Sequence, residues 1–269
     1  TTVLGMGERA TVLVKQADSI SWRIQAVAGT RLWSELGKLA INCNGKSGNG
    51  IDVQRSDGVH NNIYQVYLHD LEVRQGTAIG INMDHPAFCF LERLYVWDNA
   101  TQLYAIHGNS LHIKDSEFSG GSGAYIIRIG ISNEDLNTCL FENILCGGIP
   151  TNTSIIAFDF LGATSIFNSI YFEPAAQVGT LLNLVGRNNN VKGFSAQGTA
   201  TTATGIALAG GSNSSENRII SPHFANPNIT TPISVSSGAT DNEIHGGRGS
   251  SAALTPSQVS DSGTRTRLF

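Results

Sequence analysis

The sequence predicts an all-β protein, a parallel β-helix of about nine coils of ~24 residues each. Three observations support this fold class. Only 14% of the 269 residues are charged and 30 are glycine, a composition that favours short strands and many turns over helices. Two apolar patterns recur along the chain at a nearly constant step. In one of these two patterns, every copy has a pair of polar residues at the same position.

The first recurring pattern is an apolar residue, two polar residues, an apolar residue, any residue and a further apolar residue. Successive copies are 22 to 28 residues apart. A single coil cannot bury its apolar face, but stacked coils close a continuous core. The last two apolar positions should therefore form two buried stacks. The first stack would contain Leu71, Leu94, Ile144, Ile170 and Phe194, with Ser116 at the equivalent position of its coil, and the second Val73, Val96, Phe118, Cys146 and Phe172.

The second recurring pattern is a triplet in which one outward residue separates two apolar residues, the alternation of a strand with one buried face. It lies between the copies of the first pattern and keeps their step. A β-sandwich would not require a fixed step, so the solenoid is favoured. The outward residues would form one column of Asp52, Gly80, Ala105, Arg128, Asp159, Asn183 and Ala207.

The two polar residues inside the first pattern predict a short turn between two strands of each coil. Stacked on one another, they place opposite charges and amides side by side, which lets polar corners pack without repulsion. A catalytic role for these carboxylates is the alternative, and the structural ladder is favoured. The pairs are His69-Asp70, Glu92-Arg93, Lys114-Asp115, Glu142-Asn143, Asn168-Ser169 and Lys192-Gly193.

Charge and cysteine content exclude several classes of partner. The formal net charge of −4 argues against nucleic acid and anionic membranes, which require a basic surface. No apolar run approaches the ~20 residues of a membrane span. Cys89 and Cys139 would lie two coils apart, about 9.6 Å, whereas a disulfide needs Cα atoms within ~7 Å. All four cysteines are predicted to be free thiols, and no metal or cofactor is predicted.

Three segments carry a resemblance to known proteins. Residues 1–13 resemble the V-x-G-x-G-x-x-x-T-V-L segment of pectate-lyase-like β-helix proteins. Residues 36–53 resemble the segment that follows it in those proteins. Residues 261–269 are similar to the terminal coil of bacteriophage tail-spike proteins. The resemblance implies a right-handed β-helix forming one domain over residues 1–269, with a coil missing upstream of Thr1 and a terminal coil or cap at 248–269. It also implies a homotrimer and a location at the virion tail or outside the cell.

The same resemblance implies that the outer face of the triplet strand lines a saccharide groove. Arg128 and Asp159 would meet there on adjacent coils, to bind an acidic sugar or to move protons. A surface ion pair is the alternative. Gly80 and Ala105 would leave a hollow beside them. The predicted catalytic residues are Arg128, Asp159, His107 and Asp84, and the predicted substrate-binding residues on this side are Asp98, His85, Asn109 and Asn183.

A second outward column follows the two-residue turn and contains Glu72, Tyr95, Glu117, Leu145 and Tyr171, flanked by Trp97 and Glu173. Aromatic and carboxylate groups together suit sugars, so Tyr95, Trp97 and Glu117 are candidate substrate-binding residues. Glu72 and Glu117 would be about 9.6 Å apart, near the upper end of the ~6.5–9.5 Å used by inverting glycosidases. A subunit interface is the alternative, and it is favoured for this column.

The sequence thus predicts a tail-spike-like protein that binds a bacterial surface polysaccharide, acidic in the Arg128 hypothesis, and depolymerises it by hydrolysis or β-elimination. Two alternatives stay open. One is a receptor-binding or structural tail module without catalysis. The other is a secreted bacterial pectate-lyase-like enzyme or epimerase. The calcium-binding aspartates of pectate lyases and the N-T-D, G-D-D and G-H-G motifs of polygalacturonases are absent from the sequence, so the motifs define coils and not an activity.

Overall fold

The architecture was analysed in a computed structural model, which describes residues 2–6, 11–26, 33–55, 63–131, 136–149, 152–175, 177–210 and 213–269. A 3-10 turn spans Pro256–Gln258. In chain order the strands are β1 Thr2–Leu4, β2 Val12–Val14, β3 Trp22–Ala26, β4 Ser34–Asn42, β5 Ile51–Arg55, β6 Ile63–Tyr64, β7 Val66–Arg74, β8 Ile79–Asp84, β9 Pro86–Trp97, β10 Thr101–Ile106, β11 Gly108–Ser119, β12 Tyr125–Ile129, β13 Leu136–Asn137, β14 Leu140–Ile149, β15 Asn152–Ala163, β16 Ile166–Pro174, β17 Val178–Val185, β18 Asn190–Lys192, β19 Ser195–Ala196, β20 Thr202–Leu208, β21 Arg218–Ile220, β22 His223–Phe224, β23 Ile229–Val235, β24 Glu243–His245, β25 Val259–Asp261 and β26 Arg267–Leu268.

Each strand pairs in parallel with the strand one coil away, and the fold is the predicted right-handed parallel β-helix. Among the described residues, ten strands stack on what we call the first face. One outward column on this face runs through nine steps, the shortest of 22 residues and the longest of 31. Its members are Arg23, Asp52, Asn82, Tyr104, Arg128, Asp159, Asn183, Ala207, Ser234 and Ser260. About nine coils were predicted, which this column confirms.

The predicted positions of Gly80 and Ala105 in that column are wrong. Asn82 and Tyr104 occupy those places instead, and Ala105 is fully buried. In β8 apolar residues alternate from Ile79 to Met83, so a shift of two residues leaves the pattern unchanged. In β10 a shift of one residue exchanges the two faces. Burial of the flanking side chains selects the register in both strands.

The second face precedes the two-residue turn and the third face follows it, and long strands such as β9 and β11 run through both. The second residue of the turn has a left-handed backbone, with φ of 49° at Asp70 and 52° at Arg93. Across coils, Arg93 Nε lies 2.6 Å from Asp70 Oδ1, and Asn143 Nδ2 donates to Asp115 Oδ1 at 2.8 Å. These contacts confirm the predicted polar ladder.

Both predicted apolar stacks are buried, with members such as Leu71, Ile170 and Phe172 inaccessible to solvent. Leu71 pairs with Leu94, and Ile144 with Ile170, as the repeat requires. Ser116 substitutes for an apolar residue in its coil, and its hydroxyl satisfies the backbone by donating to the Lys114 carbonyl at 2.7 Å. All four cysteines are free and buried, as predicted.

An unpredicted ladder of buried asparagines closes one corner of the C-terminal coils. Asn189 Oδ1 accepts from the Ser165 N–H at 3.1 Å, and Asn217 Oδ1 accepts from the Asn189 N–H at 3.0 Å. Their amide groups donate to the carbonyls of Gly162 and Gly186 at 3.0 and 2.9 Å. A Cβ at position 162 would lie 1.9 Å from the Leu136 carbonyl oxygen, so only glycine fits this corner.

The last coil is formed by β25 and β26, which pair with β23 and β24. At the other end, β1 and β2 both pair with β4. Residues 1 and 7–10 of the N-terminal motif lie outside the described residues. Among the described residues no helix has the length and apolar character needed to cross a membrane.

Candidate functional site

The first face brings Arg128, Asp159 and Asn183 together, as the sequence predicts. Arg128 Nε lies 3.6 Å from Asp159 Oδ2, and Asn183 Nδ2 donates to Asp159 Oδ1 at 2.7 Å. The Arg128 guanidinium lies over the Tyr125 ring, 4.4 Å from its centroid. Asp159 is only 4% exposed. Burial raises the pKa of its carboxyl, whereas the Asn183 hydrogen bond and the Arg128 charge lower it.

The same order of residues occurs a second time on this face. Arg23, Asp52 and Asn82 follow one another on three successive coils. Arg23 Nη2 lies 3.7 Å from Asp52 Oδ2, and Asn82 Nδ2 donates to Asp52 Oδ1 at 2.9 Å. Because the same Arg-Asp-Asn order recurs, the contacts of Arg128 and Asp159 are interpreted as contacts that hold successive coils together. The expected hollow beside them is also wrong, because Tyr104 occupies the column between Asn82 and Arg128.

Three predicted residues meet at the end of the first-face strands. Asp84 Oδ1 lies 2.6 Å from His85 Nδ1 and 3.1 Å from His107 Nδ1. Asp98 is not part of this group, because it precedes β10 whereas His107 follows it, and the six-residue strand spans about 20 Å. Asn109 lies on β11, between Ala87 and Asn137 of the neighbouring coils, and so belongs to the strands of the second face.

The third face has the predicted column of Glu72, Tyr95, Glu117, Leu145 and Tyr171. The Glu72 carboxylate is hydrogen-bonded to neighbouring side chains. Its Oε1 accepts from Arg74 Nη1 at 2.8 Å and from Trp97 Nε1 at 2.9 Å, and the Tyr95 and Trp97 rings stack at 5.9 Å between centroids. The Glu72–Glu117 carboxylate pair expected from the sequence is therefore not the pair that the structure favours.

Glu173 is the carboxylate whose charge acts on Glu117. Ser119, Gly147 and Glu173 lie opposite one another on three coils, and Glu117 Oε1 extends over Gly147, 3.8 Å from where a Cβ would be. Burial raises the pKa of the Glu117 carboxyl, and the charge of Glu173 raises it further, although a hydrogen bond with Ser119 lowers it. Glu173 flanks this column in the sequence, but only the missing side chain at Gly147 lets the Glu117 carboxyl extend toward the next coil.

A groove of 490 Å³ runs across the two-residue turn onto the third face. Tyr95 and Leu145 form its apolar floor beside Glu117. Three carboxylates and one guanidinium line it, which makes it more suited to neutral than to anionic ligands. The lining residues are Asp70, Arg93, Leu94, Tyr95, Asp115, Ser116, Glu117, Asn143 and Leu145.

A second, more apolar groove of 320 Å³ lies on the second face and was not predicted. Trp33 and Phe90 are 60% and 46% exposed there. Tyr67, Phe90 and His112 belong to one outward column, so aromatic residues recurring one position before the first pattern were the signal that could have revealed it.

The fold and these surfaces define a parallel β-helix protein with grooves running across its coils. No known protein family matches the chain in sequence, and no curated protein does either. Among solved structures, a mannuronic acid specific polysaccharide family 6 lyase from human gut microbiota is similar, with 11% identity and a TM-score of 0.33. The match covers 96% of this chain and 85% of that one. At this level of similarity it carries no argument about activity.

Proposed function

We propose that this protein binds a bacterial surface polysaccharide in the groove of the third face and hydrolyses a glycosidic bond there. Glu117 is the observation that carries the proposal. It is a partly buried carboxyl with a raised pKa, it lines a groove floored by Tyr95, and the charge of a second carboxylate, Glu173, acts on it. A partly buried carboxyl whose pKa is raised is suited to act as the general acid that glycoside hydrolysis requires.

The two carboxylates divide the reaction between them. Glu117 donates its proton to the glycosidic oxygen as the bond to the anomeric carbon breaks. Water adds to that carbon, and Glu173 accepts the proton that the water loses. The strands of Glu117 and Glu173 are two coils apart, about 9.6 Å, and a spacing of this size between the two groups leaves room for the attacking water of an inverting mechanism.

The surroundings of Glu117 support a sugar as the ligand. Tyr95 and Tyr171 lie on either side of it along the column, and aromatic faces stack on the apolar faces of pyranose rings. Asp70 and Asp115 add negative charge to the groove. We therefore propose a polysaccharide that is uncharged at the bound units, whereas the Arg128 hypothesis requires an acidic one.

The test is incubation of the purified chain with a panel of neutral and acidic capsular polysaccharides. We expect release of reducing ends without the absorbance of an unsaturated product. Glu117→Gln should reduce the rate by at least about 100-fold, in the range of general acid catalysis, and Glu173→Gln should also reduce it. Glu142→Gln, in a two-residue turn and outside the groove lining, and Arg128→Ala should retain parent activity.

Other outcomes would replace this mechanism. An unsaturated product would indicate β-elimination. Loss of activity in Arg128→Ala but not in Glu117→Gln would favour the first face. Binding without cleavage would favour the receptor-binding module, since stacking residues alone suffice for recognition. We also propose, from the resemblance to tail spikes alone, that the protein is homotrimeric and acts at the virion tail or outside the cell.

A further inference from the structure

The turn after the first face holds a group of three side chains that the proposed hydrolysis does not use. Asp84 ends β8, His85 follows it, and His107 follows β10 on the next coil. Asp84 lies opposite Ile106 in the ladder, so stacking brings His107 to the same corner. Both histidines have left-handed backbones, with φ of 59° and 56°, which point the two rings in the same direction. Their centroids are 4.8 Å apart.

The potential ligand atoms of this group converge. His85 Nδ1 and His107 Nδ1 lie 2.6 and 3.1 Å from the same oxygen, Asp84 Oδ1. One atom from each residue lies within 4.8 Å of the others. Zinc bonds of ~2.0–2.2 Å to nitrogen and oxygen separate tetrahedral ligands by about 3.4 Å. Small side-chain rotations would therefore place all three atoms around one ion.

We propose that Asp84, His85 and His107 bind a divalent first-row transition-metal ion such as Zn²⁺. Imidazole nitrogen is a preferred ligand of these ions. Mg²⁺ and Ca²⁺ sites use several oxygen ligands, whereas this group offers one carboxylate. Each histidine binds through the Nδ1 lone pair as the neutral tautomer that carries its proton on Nε2. Three protein ligands leave at least one coordination position for water.

Burial fits a site that an ion can enter. The His85 side chain is only 10% exposed, so packing holds its ring. The side chains of Asp84 and His107 are 38% and 32% exposed, which leaves the open side of the cluster to solvent. The ion would join two successive coils at this corner, in the way that the asparagine ladder joins coils elsewhere.

The other histidines show why this corner is distinctive. His69 also contacts two acidic residues, but Asp70 lies against Nδ1 and Glu35 against Nε2, so the two carboxylates lie on opposite edges of the ring. His112 contacts a single carboxylate, that of Glu142 at 3.2 Å. Within the part of the chain that the structure describes, Asp84, His85 and His107 are the one group of three such residues placed to share an ion.

The test uses tag-free protein stripped with a chelator and then titrated with Zn²⁺ by calorimetry and with Co²⁺ by visible absorption. We expect one ion per chain and Co²⁺ bands of a nitrogen-ligated site. Asp84→Asn and His107→Gln should weaken Zn²⁺ binding at least 10-fold. His112→Gln, a partly exposed histidine of the second face, is the matched control and should bind like the parent.

A measurement on the unsubstituted protein covers the case in which a variant misfolds. Bound Co²⁺ should broaden the imidazole NMR signals of two histidines and leave the other five sharp, and Zn²⁺ should raise the melting temperature by mass action. Absence of stoichiometric binding by the parent would overturn the proposal. Equal affinity in the parent, Asp84→Asn and His107→Gln would also overturn it.

Discussion

At the scale of single residues, polar side chains of this protein find partners one coil away as well as along the chain. Asp70 and Arg93 show the contact between coils most clearly, because the guanidinium lies against both carboxylate oxygens. The Arg93 hydrogen bond is the main cause that lowers the pKa of Asp70 to about 2, partly opposed by burial and reinforced by a hydrogen bond from His69. The corner of the coil is therefore held by charge complementarity.

The pKa of Asp70 gives the first prediction at this scale. Since its folded pKa lies below the unfolded value of ~3.9, the contribution of Asp70 to stability is complete above about pH 4 and disappears as the pH falls to about 2. The pair is partly exposed, so the contribution should be no more than ~1 kcal/mol. Carboxyl NMR titration should show the midpoint near 2 in the parent.

Arg93→Ala should move that midpoint upward, toward the unfolded value. Lys114→Ala, which removes a cation one coil further on, is the control and should leave the Asp70 midpoint in place. An Asp70 that titrates near 4 in the parent would show that the Arg93 contact does not persist in solution.

At the scale of elements, the coil is stabilised by two kinds of ladder. Apolar stacks fill the interior, where Phe141 and Phe167 pack at 4.7 Å between centroids and Phe158 meets Phe141 edge to face at 5.2 Å. The buried asparagines satisfy backbone groups that no strand reaches at the corner. A buried amide that loses its partner costs about 1–3 kcal/mol, so a corner without these side chains would open.

Asn217 provides the test of the asparagine ladder. Asn217→Ala removes the acceptor for the Asn189 N–H and the donor to the Gly186 carbonyl. Two buried groups lose partners, and the free energy of unfolding should fall by about 2–4 kcal/mol. Denaturant titration measures it. The control is Asn168→Ala, in a two-residue turn, which should change the value by less than ~0.5 kcal/mol; equal effects in both variants would contradict the ladder.

At the scale of the whole molecule, stacked coils present long outward columns, and the chemistry of each face follows from what its column contains. The first face repeats Arg-Asp-Asn ladders, the second exposes aromatic rings, and the third combines Tyr95 and Glu117. Trp33 and Phe90 line one apolar groove, and a contiguous exposed apolar patch marks an interaction surface more often than single exposed apolar residues do. Their presence is compatible with self-association as well as with sugar binding.

The proposed homotrimer is tested directly by mass. Light scattering after size exclusion should give three times the 28.6 kDa of the chain at micromolar concentration. The same value should persist in 0.5 M salt, because contacts between apolar groups are not screened. A mass of one chain across that concentration range would instead favour the secreted-enzyme alternative, in which the groove acts on a monomer.

The sequence by itself determined the parallel β-helix, its number of coils, the two buried stacks and the polar turn ladder. These follow from alternation and a repeated step, which are local properties of the chain. Only the tertiary structure decided that Tyr104 and not Ala105 faces outward, that Glu117 extends over Gly147, and that His107 reaches Asp84. The physical reason is that coils of unequal length can stack in several registers with the same alternation. Side-chain burial between coils selects one register, and the neighbours of every polar side chain follow from it.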